Sequence, residues 1–237
     1  MDIGKSIGYV FEDQKWTSKL LLAVVVSIIP IVNFALVGYL IVIMRNVSER
    51  NPQPLPEWDN FGDKFLKGLI LVVAGLIYAL PALILFCPLV FLPFTRTSSE
   101  GQNAVAGLFA GTAFLLTCAF VIYALVISFL FPAINLNFAR KGTFGACFEF
   151  GEIWRIMSRN LGDYVVAWLI ALVVVVAAGF VTGMVALLIG WIPCLGWIAA
   201  WLITGLGSVW AATVYAHLFG QIGRQPPDQA MIPSGQA

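Results

Sequence analysis

Asp, Glu, Lys and Arg are absent from five apolar stretches, 20–44, 68–94, 104–138, 164–191 and 195–219, which together hold more than half of the 237 residues. Charge confined to the connections restricts the fold severely. An uncharged apolar run of about 20 residues suffices to cross a bilayer as a helix, whereas a soluble domain interrupts such runs with a polar face. With 60% apolar and 11% charged residues and a mean hydropathy of +0.93, no water-soluble core of this size hides the apolar surface. The expected fold is therefore all-α: a polytopic integral membrane helical bundle, a single membrane domain over 1–237.

Stretches 68–94, 104–138, 164–191 and 195–219 are each expected to span. The 20–44 stretch has two readings. As one helix of 25 residues it is about 37 Å long, enough to cross with a kink at Pro30. Alternatively, Pro30 to Asn33 forms the tip of a re-entrant hairpin, with Asn33 capping freed backbone groups and the tip packed against other helices.

The positions of Lys and Arg bear on the choice, because short cytoplasmic loops are enriched in them. A hairpin divides the 13 basic residues 12 to 1 across the membrane, with Arg96 the exception, and a kinked fifth span divides them 9 to 4. The expectation is four spanning helices plus an N-terminal re-entrant hairpin, with main loops and C-terminus cytoplasmic. Pro81 reads as a kink and Pro88 as the exit from the bilayer. The polar start through Lys19 lacks the features of a secretory signal, and the mature chain is expected to begin near Met1.

The connections have their own pattern. Segments 11–16, 58–65 and 148–155 each combine aromatic and acidic residues and lead into an apolar stretch, a weak internal repeat. The 1–18 and 140–163 segments read as interfacial amphipathic helices; in the latter, Phe144, Phe148, Gly151, Trp154 and Leu161 share one face and Glu149, Glu152, Arg155 and Arg159 another. Trp16, Trp58 and Trp154 suit headgroup depth. Within 45–67, the prolines at 52, 54 and 56 forbid a helix and favour an extended strap over the bundle. Such a strap either caps the bundle or presents Pro54, Pro56 and Trp58 to a partner, alongside Trp154. The 220–237 segment reads as a flexible tail.

The strap Leu55-Pro56-Glu57-Trp58-Asp59, the stretch Phe148-Glu149-Phe150-Gly151 before Asn160, and the ending Ala216-His217-Leu218-Phe219-Gly220-Gln221 resemble the uncharacterised prokaryotic membrane family called domain of unknown function 4013. The resemblance runs from about Gly8 to Arg224. It implies a bacterial or archaeal plasma (inner) membrane and brings no established activity or catalytic residue.

The residues themselves offer little chemistry. Cys87, Cys118, Cys147 and Cys194 are scattered without metal-ligand spacing and read as packing residues. The single histidine, His217, lies at the end of the last stretch with no carboxylate in its helical neighbourhood, which suits a structural role at the interface. No Ser-His-Asp arrangement, phosphate-cradling loop or pair of intramembrane acids is legible, so no enzyme, cofactor or metal is expected, and a net charge of +1 argues against nucleic acid.

Gly107-x-x-x-Gly111 and Gly179-x-x-x-Gly183 open flat strips for close helix contact, expected within the bundle and otherwise with another subunit or a second copy. Two functions follow. The first is a non-enzymatic scaffold or accessory subunit of a membrane assembly, contacting the lipid bilayer and protein partners. The alternative is a passive carrier or channel for a lipid or small neutral solute, with bound lipid and a groove lined by hydroxyls such as Thr117, Thr182, Thr204 and Ser208.

Overall fold

The computed structural model describes residues 2–91 and 102–224, the side chains of 85–91 and 102–110 excepted. Arg96 and the tail after Arg224 lie outside them. Eight α-helices are present among the described residues: α1 Ile3–Gly8, α2 Trp16–Ile28, α3 Phe34–Ser48, α4 Phe61–Phe91, α5 Gln102–Lys141, α6 Phe150–Arg159, α7 Leu161–Ile189 and α8 Leu195–Ile222. Four are long and apolar enough to cross a membrane: Phe61–Ile84 within α4, Gly111–Lys141 within α5, α7 and α8. Phe180, Leu187, Trp191 and Leu195 stand more than two-thirds exposed, an outward apolar surface that hydrocarbon rather than water accommodates. The chain fits a multi-pass, all-α membrane protein.

The chain divides into two compact units, Met1–Leu71 with Ala133–Ala237, and Val72–Pro132. In the second unit, α4 continues through Pro81 and Pro88 to Phe91, so Pro88 does not end the helix. There the Tyr123 hydroxyl donates to the carbonyl of Tyr78, and Phe131 rests 3.7 Å from the position a side chain on Gly75 would take.

The first unit is built around α8. The segment before α2 runs antiparallel to it: the Asp2 amide donates to Gln221, Ser6 meets His217 and the Tyr9 hydroxyl donates to the Thr213 carbonyl. Farther along, Val24 of α2 packs on Gly205, while Met44 and Val47 of α3 return to Gly220. Thus α2 runs inward along α8 and α3 runs back.

The strap closes the same loop. Asn46 donates to the Pro54 carbonyl and Lys19 to that of Leu55, two consecutive residues. A continuous helix would hold Lys19 and Asn46 roughly 40 Å apart at 1.5 Å per residue. The 20–44 stretch is therefore a hairpin, not a kinked span.

The tip departs from expectation in two ways. Asn33 makes no side-chain capping bond, because the turn satisfies itself: the Asn33 amide donates to Ile29 at 2.8 Å and the Ala35 amide to Val32 at 2.9 Å. Nor does the first unit cover it among the described residues, where Ile29, Pro30 and Ile31 are exposed. A tip whose backbone groups are paired locally has an apolar surface that lipid can face.

The 140–163 segment is divided. Gly142, in the left-handed region at φ 67°, ends α5, with its amide closing on Phe138 at 2.8 Å. A 3-10 turn over Phe144–Phe148 follows, then α6, and Asn160 breaks the path before α7.

Candidate functional site

The strap residues singled out by the sequence turn inward. Leu55 is buried, and Pro54, Pro56 and Trp58 are half-buried. The Trp58 indole donates to the Lys19 carbonyl at 3.0 Å and stacks on Tyr39 with ring centroids 4.5 Å apart, 6° from parallel. Its ring is thus engaged within the chain. Lys19, buried between strap and hairpin, pairs with Asp13 at 2.7 Å. Burial works to raise the Asp13 carboxyl, but the Lys19 ammonium and the Lys15 amide outweigh it and hold the group below its usual range.

A polar cluster joins α1 to α8, and sequence reasoning missed it. His217 is 2% exposed, because α1 lies over it. Its Nδ1 is 2.9 Å from the Ser6 hydroxyl and 3.1 Å from the Gln221 amide nitrogen, and its ring stacks on Tyr9 at 4.2 Å. The Asp2 amide donates to Gln221 Oε1, so the Gln221 amide nitrogen is the donor facing the ring. A donor that close requires an unprotonated Nδ1, which places the ring proton on Nε2. Burial raises the Tyr9 hydroxyl well above its usual range. Ser6 is fully buried and its hydroxyl also lies 3.0 Å from the Asp2 carbonyl. The arrangement is a clasp that ties the first helix to the last. The spacing His217-x-x-x-Gln221, one polar face on an apolar helix, was the available signal.

Other glycines than those expected make the close internal contacts. A Cβ on Gly38 would lie 1.7 Å from the Lys64 carbonyl oxygen, and one on Gly68 1.6 Å from that of Phe34. α3 and α4 therefore cross backbone to backbone at a reciprocal pair of glycines, with Cα–H groups directed at carbonyl oxygens. Gly205 receives Val24, Gly207 receives Thr182 and Gly220 receives Val47. By contrast, among the described residues nothing lies within 4 Å of a Cβ placed on Gly111, Gly179 or Gly183. The surroundings of Gly107 lie outside the described residues.

Trp154 of α6 is 67% exposed, one turn from the exposed Phe150, while Ile153 and Met157 are buried. Glu149 at the start of α6 accepts from Lys141 and from Asn137 at 3.1 Å, and these donors hold its carboxyl below the usual range. Cys118 and Cys194 are free thiols; burial pushes the Cys147 thiol up to about 11. Cys87 lies among the side chains not described. Among the described residues, no three His, Cys, Asp or Glu side chains gather as metal ligands.

Residues 21–190 match the family described as "Protein of unknown function (DUF4013)". The match takes in the hairpin, the strap and the chain through α7. The chain is also similar to an uncharacterized protein, MJ1189, of Methanocaldococcus jannaschii, with 28% identity over 151 residues, 64% of this chain and 50% of the relative. The chain thus spans about half the length of that curated relative. No solved structure matches.

Proposed function

The chain belongs to the DUF4013 family of proteins of unknown function, and on that premise we propose that it is a non-enzymatic scaffold or accessory subunit of a membrane assembly. One observation carries this reading. The close helix contacts inside the first unit use Gly38, Gly68, Gly205, Gly207 and Gly220, whereas among the described residues nothing lies over Gly179 and Gly183 on α7. Val176, Phe180 and Leu187 flank the pair along the same face and are exposed. A strip without side chains lets a second backbone approach closely, which is how apolar helices associate in lipid. The occupant this face suits is a spanning helix of a partner subunit.

The interlocked end of the molecule supports the same reading, because the α1 clasp, the strap and the hairpin hold α8 in one arrangement against which a partner registers. In this proposal the Lys- and Arg-rich connections face the cytoplasm across a prokaryotic plasma membrane. The alternative, a passive carrier, draws on the re-entrant hairpin, but the groove hydroxyls it invokes are turned to their own helices: Thr117 donates to Ala113, Thr182 to Ala178, Thr204 to Ala200 and Ser208 to Thr204.

Co-purification from the native membrane tests the proposal, comparing wild type with Gly179→Leu/Gly183→Leu. The expected result is a partner retained by the wild type and lost from a variant that melts at the same temperature. The same complement of proteins on both would overturn it.

A further inference from the structure

Where the ends of α5, α6 and α8 meet, the first unit holds a groove of about 450 Å³ lined by Arg140, Arg155, Arg159 and Glu152, with Leu136 and Ile222 among its apolar walls. We propose that this groove is an anion site that takes a phosphate group at the membrane interface, that of an anionic lipid headgroup or of a soluble phosphate compound. The inference goes beyond the scaffold reading and stands independently of it.

Charge is the first argument. Three guanidiniums and one carboxylate line the groove, leaving an excess of two positive charges. Glu152 is already engaged, accepting from Arg155 through both oxygens at 2.7 and 2.6 Å. Arg140 is steadied by one donor, which reaches the Gly223 carbonyl at 2.9 Å, and a guanidinium has five. No ion pair engages Arg159 among the described residues, and the nearby Glu149 is tied to Lys141. Among the described residues no carboxylate besides Glu152 lines the groove, so three like charges are brought together with one to offset them, and a bound anion would balance the excess. Planar guanidinium forks match phosphate oxygens in paired hydrogen bonds, so arginine in this number suits phosphate.

Position is the second argument. Glu152, Arg155, Ile156 and Arg159 recur at helical spacing on the groove side of α6, while Phe150 and Trp154 stand exposed on the adjoining face. An amphipathic helix with aromatic residues on one side and arginines on the other lies at headgroup depth. The groove thus opens where lipid phosphates are concentrated.

The test uses the full chain, delipidated in uncharged detergent and titrated with short-chain phosphatidylglycerol, short-chain phosphatidylcholine and inorganic phosphate, with thermal stabilisation as the readout. Phosphatidylglycerol should bind in preference to phosphatidylcholine. Arg159→Gln should weaken that binding about tenfold, as loss of a charge-assisted hydrogen bond implies. Arg155→Gln/Arg159→Gln should weaken it further, Glu152→Gln should strengthen it, and Lys15→Gln, away from the groove, should leave it unchanged. Inorganic phosphate competing in the same concentration range assigns a soluble phosphate compound; no competition assigns the lipid headgroup. Because Arg159 is exposed and outside any ion pair among the described residues, Arg159→Gln decides the matter if the double variant fails to fold. Wild-type affinity in Arg159→Gln, equal binding of both lipids, or binding of neither lipid nor phosphate would overturn the proposal.

Discussion

Gly38 and Gly68 admit no side chain, since each faces a carbonyl oxygen of the opposing helix at under 2 Å from a placed Cβ. Gly38→Ala must push α3 from α4, at a cost on the order of 3 kcal/mol, whereas Gly183→Leu should leave the melting temperature of the isolated protein unchanged; thermal denaturation in detergent separates the two. At the α1 clasp, Ser6→Ala removes a hydroxyl shared by His217 and Gln221 and should cost about 1–3 kcal/mol. Faster amide exchange over residues 3–8 is the local sign of that loss. The Asp13 carboxyl is held below its unfolded value by Lys19 and the Lys15 amide. Its contribution to stability is therefore present above the ordinary carboxylate value of about 4 and is lost as pH falls through that value toward the lower folded one. Asp13→Asn should be less stable than wild type at neutral pH and should lose this part of the acid sensitivity, as melting temperatures across pH would show.

At the scale of elements, the hairpin over 20–44 was legible because that reading divides the 13 basic residues 12 to 1, against 9 to 4 for a single span. Its internal chemistry was not legible. Pro30 marked the break, yet the turn amides pair with carbonyls three and four residues earlier, leaving the Asn33 side chain no capping role. Glycine spacing along one helix was also a weak guide, because the contact that matters pairs Gly38 with Gly68 across two helices, a relation no spacing within either reveals. The burial of His217 was hidden for a similar reason: its cover, α1, comes from the opposite end of the chain. Lys5, Arg50 and Arg224 line one cavity, so cysteines introduced at Lys5 and Arg50 should react with an impermeant thiol reagent from the same side of sealed vesicles. Labelling from opposite sides would instead require a fifth span. Ser6 is unsuited to that experiment, being buried.

For the whole molecule, the exclusion of charge from long apolar stretches was enough to give the all-α membrane class and four spans, because insertion into hydrocarbon leaves few alternatives. Function was harder to read, since partner contacts in lipid are made by small and apolar residues that resemble ordinary packing. The proposed role rests on a difference among glycines: some are used in internal contacts, while among the described residues nothing lies over the α7 pair. The direct test of the proposed role is native mass spectrometry of the protein extracted from its own membrane in mild detergent. The account predicts a stoichiometric complex with a partner subunit that Gly179→Leu/Gly183→Leu dissociates; a protein that flies alone in both forms would contradict it.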